Sequence, residues 1–260
     1  MRERKIETLR GIGRRVLEAG EGAPLVYLHG AGGLAGTEPL LEELARHHHV
    51  FAPEWPGYGE SGGEELLEDM LDFTLHGWDV VEALELDAPH LVGHSMGGMI
   101  AAEMAAVSPR SLAKLVLIDS LGLWLDDHPI PDLFATTPFE LPALLFHDAE
   151  QGEELLSAGF DFSDLGALEK FMVGNARRLG TAGKILFPIP NRRLDKRLYR
   201  VRAETLLVWG REDRFTPPVY AERFHELLPG SQIAWIEAAG HMLPAEQPSA
   251  AAEAITKFLA

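Results

Sequence analysis

His90-Leu91-Val92-Gly93-His94-Ser95-Met96-Gly97-Gly98-Met99 is the stretch on which the fold turns. A short apolar run, His90–Gly93, meets the pattern G-x-S-x-G and passes without a spacer into the small-residue segment Met96–Val107, whose composition suits a helix. A strand that turns so sharply into a helix forces the serine backbone into a strained conformation and lifts its hydroxyl clear of the sheet. Small residues on both sides are needed because Cβ atoms would collide in the turn. The following helix aims its first amides at the same spot, where negative charge can develop.

Working outward, short apolar runs alternate with helical spacing: Leu25–Leu28, Thr37–Arg46, His49–Ala52, Glu64–Leu86, His90–Gly93, Met96–Val107, Leu115–Ile118, Leu206–Trp209, Pro217–Leu228, Ile233–Ile236 and Glu246–Leu259. This βα rhythm predicts an α/β protein with a mostly parallel sheet. The long helical stretch is expected to break or bend near Gly77. Lys5–Leu9 and Arg14–Glu18 predict an antiparallel entry hairpin. Between Leu121 and Arg202 the rhythm stops for 82 residues. Helical patterns occur there over Asp132–Phe146, Glu150–Ala158 and Asp164–Leu179. A structureless loop of that length is improbable. The expected organisation is therefore a core of residues 1–120 and 203–260 with a helical cap, 121–202, inserted between them.

The chain has 260 residues, 46% hydrophobic and 24% charged, with 40 acidic against 23 basic side chains and a formal charge of −17. That is ordinary globular composition. The acidic balance argues against nucleic acid or an anionic membrane surface as partner. With no cysteine, disulfides, thiolate metal sites and a cysteine nucleophile are excluded. No apolar run reaches 18 residues and no signal-peptide pattern opens the chain, so a cytoplasmic protein is expected. Its oligomeric state is not legible.

A serine nucleophile needs a base, and the base an orienting acid. Asp213, in Gly210-Arg211-Glu212-Asp213, and His241, in Ala238-Ala239-Gly240-His241, each follow an apolar run, 118 and 146 residues beyond Ser95. In an open parallel sheet such loops share one edge, so the three can converge. Glu212 and Asp119 are the rival acids; loop position favours Asp213. The Gly-rich turn His29-Gly30-Ala31-Gly32-Gly33 can aim a backbone amide at a carbonyl over Ser95, which assigns an oxyanion hole to the amides of Ala31 and Met96. A phosphate cradle is disfavoured, since neither G-x-G-x-x-G nor a Walker lysine is present. His29 is expected to make a local structural hydrogen bond. His47-His48-His49 reads as a solvated helix end rather than a metal site. No metal and no cofactor are expected.

In the insertion, Trp124, Phe134, Phe139, Phe146, Phe160 and Phe171 supply an apolar interior, of which one or two side chains are expected to line an acyl pocket. Arg177, Arg178, Arg192 and Arg193 read better as a solvated face, with capture of a substrate carboxylate as the sharper alternative. Trp124, Arg177, Arg178 and Met242 are the candidate substrate contacts.

These residues resemble the α/β-hydrolase superfamily over nearly the whole chain. Besides the serine turn, Pro53-Glu54-Trp55-Pro56-Gly57-Tyr58-Gly59-Glu60-Ser61 is similar to its D-x-P-G-x-G-x-S turn, with Glu54 where Asp is usual. Gly210–Asp213 resembles its acid turn, and Gly240-His241 with Glu246-Gln247-Pro248 its histidine turn. The resemblance implies an eight-stranded, mostly parallel sheet with a cap after the sixth strand. Its capped members include esterases, lactonases, carbon–carbon bond (meta-cleavage product) hydrolases, epoxide hydrolases and haloalkane dehalogenases. Ser95 argues against the last two, which use an aspartate nucleophile. Met242, where meta-cleavage hydrolases often carry Trp, weakens that reading. The expected activity is hydrolysis of small to medium apolar esters or related acyl compounds. Carbon–carbon bond hydrolysis is the enzymatic alternative, and a ligand receptor with slow turnover the alternative of another class.

Overall fold

A computed structural model describes residues 1–157 and 164–260. Eight strands, β1 (Arg2–Glu7), β2 (Gly13–Ala19), β3 (Pro24–Leu28), β4 (His49–Pro53), β5 (His90–His94), β6 (Lys114–Ile118), β7 (Glu204–Gly210) and β8 (Gln232–Ile236), form one sheet in the order β1-β2-β4-β3-β5-β6-β7-β8. The hairpin β1–β2 and the β2–β4 pair are antiparallel; every other pair is parallel. The first strand of the hairpin begins and ends earlier than its apolar pattern suggests, because Arg2–Lys5 pair across the ladder although they are exposed.

Side chains alternate across the sheet, as strand geometry dictates. Val26, Leu28, Leu91, Leu115, Leu117, Leu207 and Trp209 face one layer, which holds α2 (Met70–Ala83), α3 (Met96–Val107) and α7 (Val219–Leu227). Leu25, Tyr27, Val92, Val116, Ile118, Leu206 and Val208 face the other, covered by α1 (Glu38–Leu44), the single turn α8 (Leu243–Glu246) and α9 (Pro248–Leu259). Both faces of the central strands are buried, which is why they read as unbroken apolar runs.

Between β6 and β7 lie α4 (Leu141–Leu145), α5 (Ala149–Ser157) and α6 (Leu165–Leu186), with short 3₁₀ turns at Leu194–Lys196 and Leu198–Arg200; no strand occurs there among the described residues. Phe160 and Ala158 lie outside the described residues. The helical pattern over Asp132–Phe146 is mostly not helix. Asp132 instead caps a turn through Phe134, and only Leu141–Leu145 coils. α6 runs seven residues further than its pattern, to Leu186, where Thr181, Ala182 and Ile185 bury against the core.

The stretch Glu64–Leu86 breaks at a different place from that expected. A 3₁₀ turn covers Glu64–Leu66, and α2 begins only after Asp69, whose carboxylate caps the amides of Leu71 and Asp72. The helix passes through Gly77 unbroken. Glycine is there for contact: a Cβ would sit 2.4 Å from the sulfur of Met104 on α3. Among the described residues no helix is long and apolar enough to cross a membrane.

Candidate active site

Ser95 stands between β5 and α3 with φ +54° and ψ −116°, a conformation costing about 1–3 kcal/mol that persists only when its surroundings enforce it. They do so through the main chain: Ser95 N donates to Ile118 O (2.9 Å), and Ser95 O accepts from Leu121 N (3.1 Å) and Met99 N (3.1 Å). The turn has no room for side chains. A Cβ on Gly97 would lie 2.0 Å from Leu28 O, and one on Gly93 2.4 Å from Gly97 O.

The loops after β5, β7 and β8 meet at one sheet edge. His241 Nε2 is 2.8 Å from Ser95 Oγ, and His241 Nδ1 is 2.9 Å from Asp213 Oδ2. All three residues are buried. Asp213 is held by the amides of Phe215 (2.8 Å) and Thr216 (2.9 Å) at Oδ1, and by the Thr216 hydroxyl (2.6 Å) at Oδ2. With both carboxylate oxygens engaged, Nδ1 is the donating nitrogen of the neutral ring, and Nε2 presents its lone pair to the Ser95 hydroxyl. Of the rival acids, Glu212 accepts from Ala239 N at 3.1 Å, whereas the imidazole bonds Asp213. Asp119 lies beneath Asp213, with Oδ1 accepting from Gly210 N at 2.9 Å.

The Gly-rich turn follows β3 beside this centre. His29 Nδ1 donates to Gly30 O (2.8 Å) and Nε2 accepts from Trp55 N (3.0 Å), the local role expected of it; burial pushes this imidazole down to about 4. Tyr58 OH donates to Ala31 O (3.2 Å), which fixes the turn from the glycine-rich stretch after β4. Met96 is the first residue of α3, so its amide has no partner within the helix.

Four residues at this centre had no role assigned from sequence. The Thr216 hydroxyl touches both Asp213 and His241 Nδ1 (3.2 Å); its spacing in Asp213-Arg214-Phe215-Thr216, an acceptor followed three residues on by a hydroxyl, was the available signal. His94 Nε2 donates to His241 O at 2.8 Å and ties the serine turn to the histidine loop. Burial pushes the His94 imidazole down to about 3, so it stays neutral. Arg214 donates to the carbonyls of Ala143 (2.8 Å) and Phe146 (2.9 Å) in the insertion. Glu246 accepts from Gly240 N (2.7 Å) with one oxygen and from His147 N (2.7 Å) with the other.

The candidate substrate contacts separate. Arg177 pairs with Glu64 at 2.7 Å and also donates to Ser61 O. Arg178 has no such pair among the described residues; it donates to Asn175 Oδ1 (2.8 Å) and to Gly32 O (3.2 Å), one residue beyond Ala31. It lines a groove of about 420 Å³ with Gly32, Gly33, Tyr58, Lys170 and Asn175. The Trp124 indole turns to Asp126 (3.0 Å), and Met242 is half-buried with its amide on Leu145 O (2.9 Å). Arg192 and Arg193 belong to the turn before Leu194, Arg192 bonding Phe187 O (2.9 Å). The histidine run is not a wholly solvated helix end: His48 is buried against His90, and His49 bonds Glu18 (2.8 Å), because the turn into β4 packs them inward.

A parallel sheet with a strained serine at a strand-to-helix turn and an acid and a histidine on later loops defines the α/β-hydrolase fold. Residues 25–254 match the model of the alpha/beta hydrolase family, and the chain belongs to that family. It is 24% identical over 273 residues to the 2-hydroxy-6-oxo-2,4-heptadienoate hydrolase of Pseudomonas putida, covering 96% of this chain and 94% of that protein. It is 28% identical over 265 residues to the 2-hydroxy-6-oxo-6-phenylhexa-2,4-dienoate hydrolase of Burkholderia cepacia, covering 94% and 90%. Among solved structures it resembles a meta-cleavage product hydrolase of Pseudomonas fluorescens, with a TM-score of 0.82, 21% identity and coverage of 98% and 97%.

Proposed function

We propose that this protein is a serine hydrolase in which Ser95 attacks a substrate carbonyl, His241 takes the Ser95 proton, and Asp213 holds the His241 tautomer and stabilises the imidazolium. The observation that carries this is the unbroken relay of 2.8 Å and 2.9 Å contacts from Ser95 through His241 to Asp213. The amides of Ala31 and Met96 receive the oxyanion as the carbonyl becomes tetrahedral, and His241 returns its proton to the leaving group. Water activated by the same imidazole then releases the acyl group from Ser95. Residues 121–202 act as the cap over this centre.

For the substrate, we favour an oxo acid cleaved at the carbon–carbon bond beside its ketone. Two things support that class over a simple ester: the relatives named as hydrolases of oxo-dienoates, and Arg178, whose guanidinium sits beside the Gly-rich turn with no carboxylate partner among the described residues. Arg178 would take the substrate carboxylate as a bidentate pair. An ester asks for the same attack on a neutral acyl group and needs no cation. The test compares 2-hydroxy-6-oxo-6-phenylhexa-2,4-dienoate, followed by its loss of colour, with p-nitrophenyl acetate. Ser95→Ala should abolish turnover of both. Arg178→Met should raise KM for the acid about tenfold or more and leave the ester unchanged. Turnover of the ester alone, indifferent to Arg178, would return the assignment to an esterase. Labelling of Ser95 by a fluorophosphonate with negligible turnover of either would favour a receptor.

A further inference from the structure

Asp119 is a fully buried carboxyl under the proposed triad, and nothing in the relay uses it. It follows β6 with φ +43°, and its main chain is locked: Asp119 N donates to Val208 O (3.0 Å), and Asp119 O lies 3.3 Å from the Thr216 hydroxyl. The same Thr216 hydroxyl lies 2.6 Å from Asp213 Oδ2, so the two acidic residues meet at one side chain. Two carboxyl groups thus share one dry pocket, and the donors in it are divided unequally. Asp213 receives four: two amides, the Thr216 hydroxyl and His241 Nδ1. Asp119 receives one, from Gly210 N to Oδ1, while Oδ2 is sealed from solvent with no donor.

Two carboxylates sharing one pocket closed to water cannot both keep their charge. The one with four donors holds it. We propose that Asp119 is a neutral carboxylic acid whose proton lies between its Oδ2 and Asp213, making it a positioning residue for the acid of the relay. This accounts for the orphaned oxygen, since the buried atom becomes a donor with an acceptor beside it. Burial and the negative charges of Asp213 and, further off, Glu246 all drive the Asp119 carboxyl well above the usual carboxylate range. Only the kinetic consequence rests on the proposed mechanism; the protonation state does not.

The decisive measurement is infrared difference spectroscopy of the whole protein at pH 8, wild type against Asp119→Asn. The wild type should show a protonated-carboxyl C=O band that the variant lacks. Absence of that band from the difference spectrum overturns the proposal. No substrate is needed, so this arm stands even if the assigned activity is wrong. In the assay of whichever substrate is turned over, Asp119→Asn should retain activity within about fivefold, because its amide still donates to Asp213 and its oxygen still accepts from Gly210 N. The acid limb of kcat/KM should stay in place, since one neutral group replaces another. Movement of that limb to lower pH by about one unit would mean that a negative charge beside the relay had been removed, and would refute a neutral Asp119. Asp119→Ala, which leaves no donor, should lower kcat about ten- to a hundredfold with KM little changed.

Discussion

The loops after β5, β7 and β8 and the insertion between β6 and β7 are built on different terms. In the first, side chain meets side chain: the contacts among Ser95, His241, Asp213 and Thr216 each demand a particular residue type. At the insertion, apart from the Arg177–Glu64 and Arg197–Glu103 pairs, a side chain of one partner mostly meets a main-chain atom of the other. Lys184 donates to the carbonyls of Glu64 and Leu67 (2.7 Å), Arg178 to Gly32 O, Arg214 to Ala143 O and Phe146 O, and Glu246 accepts from His147 N. Main-chain groups are the same whatever the local sequence. The insertion also carries exposed apolar side chains, among them Phe139 at 92% and Leu165 at 79%. The proposed chemistry is thus written into the core by residue identity on both sides of each contact, whereas most contacts of the insertion fix residue identity on one side only.

The contrast can be broken most violently on the core side. Ser95→Ala should cost about 10⁵- to 10⁶-fold in kcat while the melting temperature hardly moves, as single-turnover and thermal measurements would report; retained activity would end the serine assignment. Next comes acid. His29, held at about 4, and His94 and His76, both held at about 3, are buried neutral, whereas unfolded histidine titrates near 6.5. Below pH 6.5 the unfolded chain binds the extra protons, so stability present above that pH is lost as pH falls toward the folded values. The loss is about 2 kcal/mol for each histidine by pH 5. Asp119 acts in the opposite sense, because its raised carboxyl is protonated in the folded state first. Urea midpoints between pH 8 and pH 5 should fall, and less steeply in His94→Gln.

Glu246→Gln probes the seam between the two regions. Glutamine offers one acceptor where Gly240 N and His147 N need two, so an amide faces an amide across one contact. A stability loss of roughly 1–3 kcal/mol is expected, together with about a tenfold fall in kcat/KM. Unchanged kinetics would mean that the attachment of the insertion does not reach His241. The smallest effect should come from within the insertion. Arg177→Ala removes a partly exposed pair with Glu64, and chemical denaturation should register less than about 1 kcal/mol.

Much of the core was legible because its signals are local. A five-residue motif in register with an apolar strand marks Ser95, and the loops holding Asp213 and His241 each follow an apolar run. The break at Asp69 was legible in principle, since Asp-x-x-Asp after Leu67 is a capping pattern, but Gly77 drew attention as a breaker when it is really a contact with Met104. Helix periodicity misled over Asp132–Phe146, where Asp132 caps a turn and Pro142 suits only the first turn of a helix, and it stopped short in α6, whose final turns are helical because they pack on the core. Arg177 and Arg178 are neighbours of one type; no local pattern says that one meets Glu64 and the other Gly32.

Sequence alone determined the mostly parallel α/β architecture and the loops that gather at one sheet edge, because strand periodicity and tight-turn sterics act over a few residues. Tertiary structure alone decided which acid faces the imidazole, that Thr216 and His94 brace it, and that a second carboxyl lies sealed beneath Asp213. Those outcomes depend on how donors from distant segments are shared out in a pocket closed to water, and no stretch of chain carries that count by itself.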